Sequence, residues 1–91
     1  NKSILHYAAI MEVFSFNKIG GISYEKLCHS IPKSLGSRSS IQNLLNEGLD
    51  KALLIKVESK KDKRIKNYFL SDEFYHGVLD WIKTQKKIYN S

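Results

Sequence analysis

Cysteine occurs once, at Cys28, and proline once, at Pro32, in a chain of 91 residues. A lone cysteine excludes an intrachain disulfide, and the first residues lack the charged start and small-residue cleavage site of a secretory signal. A reducing, cytoplasmic setting is therefore expected. No apolar run approaches the roughly 18 residues of a membrane span. The chain also lacks a Gly-rich phosphate loop, a nucleophile elbow and paired carboxylates, which argues against an enzyme. His6, His29 and His76 fall on separate helical stretches without a second cysteine or a suitably spaced carboxylate, so neither a metal site nor a cofactor is expected. Acid is scarce as well: 9 Asp and Glu stand against 15 Lys and Arg, a formal net charge of +6. That excess favours polyanionic partners, nucleic acid or an acidic membrane face.

What is present suits a soluble globular chain, with 42% apolar and 26% charged residues. The length fits one domain, residues 1–91, with a modest core and something to gain from a partner that covers more surface. Residues 4–16 carry Tyr7, Ile10, Met11 and Phe14 at helical spacing, and Ile4, Leu5 and Ala8 widen the stripe almost all the way round. The glycines of "NKIGG" break this helix. Ser23 suits the N-cap of a short second helix that turns Leu27, Cys28 and Ile31 inward and ends near Pro32. Cys28 is then a small core residue. A third helix starts at Ser37 or at Ser39, the latter forming a capping box with Gln42, and buries Ile41, Leu44, Leu45, Gly48 and Leu49. Gly48 costs about 1 kcal/mol of helix propensity, which signals the close approach of a neighbour. From Leu54 the period falls to two: "LIKVES" and "IKNYFL" alternate on either side of the polar "KKDKR", the pattern of a two-stranded antiparallel ribbon. Ser71 or Asp72 caps a last helix over residues 72–89, where Phe74, Val78, Leu79, Trp81, Ile82 and Tyr89 exceed what one small core needs.

Helix, helix, turn, helix, ribbon, helix is the order of a winged helix-turn-helix. The expected fold is thus α+β and mainly helical: a three-helix core, a two-stranded β wing and a C-terminal helix, with the helix-turn-helix over residues 22–52 and the wing over 53–70. The outward arc of the third helix holds Ser39, Gln42, Asn43 and Asn46, where solubility alone would favour Glu and Lys. These side chains donate and accept without repelling phosphate, which suits base edges in a major groove. Glu47 and Asp50 keep acid to the C-terminal half, so the N-terminal half is the end expected to enter. Gln42 or Asn43 suits bidentate bonding to adenine, Arg38 a guanine or a phosphate, and Ser37, Ser39 and Ser40 the phosphate oxygens near the positive helix end. Six of the 15 basic residues lie within positions 56–66. Of these Lys60, Lys61, Lys63, Arg64 and Lys66 are expected on the DNA backbone or in a minor groove. Asp62 makes sense there as a structural residue that pairs with a neighbouring arginine. The function expected is sequence-specific binding of double-stranded DNA by a nucleoid-associated transcriptional regulator, a homodimer joined through its N-terminal and C-terminal helices, with no membrane partner. The alternative is a winged helix whose basic wing grips an acidic protein.

The span "GSRSSIQNLLNEGLDKALLIKVESKKDKRIKNYFLSDE" resembles the MarR group of winged helix-turn-helix regulators, and the resemblance covers residues 22–73. It runs from a Ser-rich recognition helix through a leucine pattern into a wing with an Asp-x-Arg motif, here Asp62, Lys63 and Arg64. A Leu-Ser step, Leu70 and Ser71, follows. The resemblance implies that Arg64 enters the minor groove, that Asp62 orients it, and that residues 38–43 face the major groove. Lys51, Ala52 and Leu53 stand where that group commonly has Lys-Gly-Leu, and the turn "IPKSLGS" is longer than its usual connection.

Overall fold

A computed structural model describes residues 2–90. Helix α1 (Lys2–Phe16) is followed by a turn and a short strand, β1 (Ile22–Ser23). Then come α2 (Tyr24–Ser30), α3 (Arg38–Asp50), β2 (Leu54–Glu58), β3 (Lys66–Leu70) and α4 (Asp72–Asn90). The architecture is the mainly helical winged helix that the order of sequence patterns implied. It adds a third strand to the ribbon: the antiparallel sheet runs β1-β3-β2, with Ile22 opposite Tyr68 and Leu54 opposite Leu70. Two residues cannot display an alternation, so β1 left no trace in the pattern. Its entry depends on Gly21, whose φ is +79° and whose Cβ, if it had one, would lie 2.8 Å from the Phe69 ring and 2.9 Å from the Tyr68 carbonyl oxygen. Only glycine allows the chain to pass so close to β3 in that conformation.

The core gathers one apolar contribution from nearly every element. Leu5, Ala9 and Val13 of α1 meet Ile22, Leu27 and Ile31, the α3 stripe Ile41, Leu44 and Leu45, and Leu54, Tyr68 and Leu70 of the sheet. This corrects the inward face expected for α1. Tyr7 of the expected stripe is 56% exposed, while Ala9 is fully buried. Because α1 is apolar almost all round, periodicity could not choose a face. The small side chain of Ala9 lets the neighbouring elements come closest, and packing selects that side. The Tyr7 side turns to α4 instead, where Tyr7 and Trp81 meet edge to face at 6.1 Å and Phe14 stacks on Tyr75 at 4.9 Å.

Side-chain caps fix the element boundaries. The Ser23 hydroxyl accepts from Lys26 N to start α2, and Ser37 Oγ accepts from Ser40 N at 3.1 Å to start α3, which settles the choice between Ser37 and Ser39. Ser71 Oγ accepts from Phe74 N at the head of α4. A Cβ at Gly48 would sit 2.6 Å from Leu54 Cδ1, so the glycine is the point where β2 is drawn against α3. The link between α3 and β2 turns through Ala52, whose φ of 59° lies in the left-handed region. Asn17 Oδ1 accepts from Leu70 N at 2.6 Å and ties the end of α1 to β3.

Candidate nucleic-acid interface

The head of α3 is a cluster of hydroxyls with no acid in its first turn. Ser37 Oγ lies 3.3 Å from Ser39 Oγ and 3.0 Å from Ser40 Oγ, so all three hydroxyls surround the positive end of the helix. Arg38 beside them is held from α2. Its guanidinium bonds the Glu25 carboxylate and lies 5.3 Å above the Tyr24 ring, and the Tyr24 hydroxyl donates to the Arg38 carbonyl oxygen at 3.2 Å. The hydrogen bond to Glu25, and then its charge, push the Arg38 pKa above the usual arginine value, so the guanidinium stays charged. Tyr24 also meets Cys28 one turn on: a hydrogen bond with that thiol raises the Tyr24 pKa.

Arg38, Gln42 and Asn46 follow one another at four-residue spacing and so share a side of α3. Gln42 Nε2 donates to Asn46 Oδ1 at 3.1 Å. Gln42 lines a groove between the helices and the wing together with Tyr24, Glu25, Lys56 and Arg64. Asn43 does not join it. It borders a second concavity, toward α1, with Leu5, His6, Leu35 and Ser40. The polar arc anticipated on α3 is therefore divided, with Gln42 on the wing side and Asn43 on the α1 side.

The register of the wing sorts its charges. Leu54, Lys56 and Glu58 of β2 stand opposite Leu70, Tyr68 and Lys66 of β3. Alternation puts these side chains on the face toward α3, apolar at the base and charged near the tip. Ile55 and Val57, 47% and 48% exposed, occupy the reverse face. At the tip Asp62 holds Arg64 by three contacts: Oδ1 accepts from the backbone N at 3.0 Å and from Nε at 3.2 Å, and Oδ2 from Nη2 at 3.1 Å. Those bonds, the side-chain ones first, lower the Asp62 pKa below the usual carboxylate range. Lys66 Nζ is tied to Glu58 Oε1 at 3.0 Å and to the Lys63 carbonyl oxygen at 3.2 Å. Lys60, Lys61 and Lys63 are exposed and enter no ion pair among the described residues.

Sequence patterns missed Tyr24, Glu25 and Lys56 as members of this surface. Lys56 was visible within the basic run but sits on the strand rather than the tip. Tyr24 and Glu25 carry no local signal, because their place beside α3 follows from how α2 packs. Elsewhere, no group of three or more His, Cys, Asp or Glu comes together among the described residues, and none of the described helices is long and apolar enough to cross a membrane.

No protein-family model matches the chain, and no curated protein does. Solved structures do. A variant of ZitR from Lactococcus lactis superposes with a TM-score of 0.64 at 11% identity, over 91% of this chain and 54% of that one. The transcriptional regulator BldR from Sulfolobus solfataricus gives 0.64 at 15%, over 92% and 58%. A variant of S. aureus MepR bound to an oligodeoxyribonucleotide gives 0.58 at 16%, over 85% and 57%. The chain thus spans little more than half the length of these structures. At such identities the likeness is one of fold, and the fold is the MarR-type winged helix.

Proposed function

We propose that residues 1–91 act as one DNA-binding domain of a transcriptional regulator, reading double-stranded DNA with α3 in the major groove and the wing on the flanking backbone and minor groove. The observation that carries this is the shared groove: Gln42 of α3 and Arg64 of the wing line the same concavity, so helix and wing tip address one side of the molecule. Ser37, Ser39 and Ser40 suit phosphate oxygens at the helix head and Gln42 and Asn46 suit base edges, while Asn43, outside that concavity on the α1 side, suits the far wall of the DNA major groove. Lys60, Lys61 and Lys63 supply most of the phosphate attraction, Lys66 joins them only if it leaves Glu58, and Arg64, aimed by Asp62, suits a narrow A·T-rich minor groove. The oligonucleotide-bound relative of the same fold and the transcriptional regulators among the structural neighbours support the reading. Such a protein would work at the nucleoid, in the cytoplasm.

Pairing of two copies through α1 and α4 belongs to this reading. Tyr7, Ile10, Met11, Phe74, Val78 and Trp81 line an apolar groove between those helices, and Ile88 and Tyr89 are 62% and 85% exposed farther along α4. Two-fold symmetry would set half-sites about one helical turn, roughly 34–36 Å, or a multiple of it apart.

Selection of bound sequences from a random duplex pool, followed by a salt titration on the selected duplex, tests the proposal. Site preference with binding that falls steeply with salt supports it. Absence of duplex affinity overturns it in favour of an acidic protein partner for the wing.

A further inference from the structure

Arg38 heads the recognition helix, and either a guanine edge or a phosphate lies within the reach of such a residue. Resting on the DNA-binding reading above, we propose that Tyr24, Glu25 and Arg38 form one positioned base reader, in which Glu25 and Tyr24 aim the guanidinium at a guanine instead of leaving it to neutralise a phosphate.

The geometry restrains Arg38 at three points: its guanidinium carbon over the Tyr24 ring at 5.3 Å, its Nη2 on Glu25, and its carbonyl oxygen under the Tyr24 hydroxyl at 3.2 Å. A phosphate clamp works through net positive charge, since its gain is the release of condensed counterions. A guanidinium already bound to a carboxylate brings almost none, and Glu25 would itself be repelled by the strand. A guanine edge asks for something else. It presents two neutral acceptors, O6 and N7, and rewards a fork held in the right plane. Glu25 engages Nη2, and the remaining donors of a side chain 59% exposed stay open to a base.

Residue choice across the surface agrees. Of the 15 basic residues only two are arginine, Arg38 and Arg64, and each is held by a carboxylate, Glu25 and Asp62. The cations of the tip that enter no ion pair among the described residues, Lys60, Lys61 and Lys63, are lysines, compact charges suited to phosphates. Lysines also pair with carboxylates, Lys51 with Glu47 and Lys66 with Glu58, but at the helix head and the wing tip the planar forks are the aimed groups and the lysines of the tip the free charges. Glu25 lines the groove with Gln42 and Arg64, which places this reader one helical turn from the amide expected to read the next bases.

The test compares the wild-type chain with Arg38→Ala, Arg38→Lys and Glu25→Gln on duplexes selected from a random pool, each over a salt series. These side chains are exposed, and circular dichroism checks that each variant is folded. Arg38→Ala and Arg38→Lys are expected to lose a guanine preference of about tenfold or more at one position of the half-site, with the salt slope unchanged. Glu25→Gln is expected to go the other way on charge: freed Arg38 finds a phosphate, the slope steepens by about one per bound protomer, arbitrary duplexes bind more tightly, and the guanine preference falls. A slope that flattens by about one in Arg38→Ala, with guanine preference intact, overturns the inference, as does a Glu25→Gln variant indistinguishable from wild type. A wild-type chain that binds no duplex at all overturns instead the DNA-binding reading on which the inference rests.

Discussion

Ala52 bears a cost that its neighbours do not explain away. Its φ of 59° places a Cβ-bearing residue in the left-handed region, where glycine is at home and where other residues lose about 1–2 kcal/mol. The MarR-like pattern has glycine at this step. Ala52→Gly should therefore raise stability by about 1 kcal/mol, read as an increase in Tm of some degrees by thermal unfolding. Asp62 yields a prediction of opposite character. Its pKa is lowered in the folded chain by the bonds to Arg64, so the pair is complete above the ordinary aspartate value of about 4 and is lost only as pH falls through the lower folded value. The Arg64 Nε–H resonance should keep its bonded position at pH 5 and leave it only under stronger acid; departure above pH 4 would contradict the pairing. On the DNA-binding reading, Gln42→Ala should cost about 1–3 kcal/mol on the preferred site and relax base choice, whereas Lys61→Ala should weaken all duplexes alike and flatten the salt slope by about one. Equal loss of discrimination in both variants would refute that division of roles.

Among the elements, α3 and β2 depend on one another through Gly48. An alanine there would gain about 1 kcal/mol of helix propensity. Its Cβ, however, would stand 2.6 Å from Leu54 Cδ1 and 2.8 Å from Cγ, so the buried Leu54 side chain would have to shift. Overpacking of this kind costs about 1–3 kcal/mol and outweighs the propensity. Gly48→Ala should thus lower the urea midpoint and, by pushing β2 off α3, loosen the angle between α3 and the wing. A midpoint that rises would show that propensity governs this position. Helix α1 illustrates the converse, an element whose apolar residues are legible while its orientation is not: Leu5, Ala9 and Val13 are inside, Phe14 packs only at the core's edge and Tyr7 is exposed.

For the molecule as a whole, the shape matters. It measures 47 × 30 × 22 Å, and α4 packs on the core through Phe74, Tyr75 and Val78, near its start. Farther along, Trp81 is 47% exposed, supported by its edge-to-face contact with Tyr7. If α1 and α4 join two copies, sedimentation should give about twice the 10.5 kDa of one chain, and Trp81→Lys should shift the balance to monomer while leaving the far-UV spectrum unchanged. A mass of one chain at all concentrations would remove the dimer. On the DNA-binding reading each copy carries its own reading surface, so the monomeric variant should also lose affinity for a paired site more than for a single half-site.

By itself the sequence determined the elements and their order. Spacing of apolar residues named α2, α3, α4 and both strands of the wing, the serines marked where helices begin, and the basic run marked the tip, because each of these signals is local and its period or cap is written in consecutive residues. It also determined the chemistry on offer at the site: hydroxyls, amides and cations with little acid among them. Only the tertiary structure decided which face of α1 is inside, that Ile22 and Ser23 complete the sheet, that Gln42 turns to the wing while Asn43 turns away, and that Glu25 holds Arg38 across a gap of 13 residues. The reason is the same in each case. These are relations between elements, fixed by how closely small residues such as Ala9, Gly21 and Gly48 let neighbouring backbones approach, and no periodicity within one segment records the distance to another.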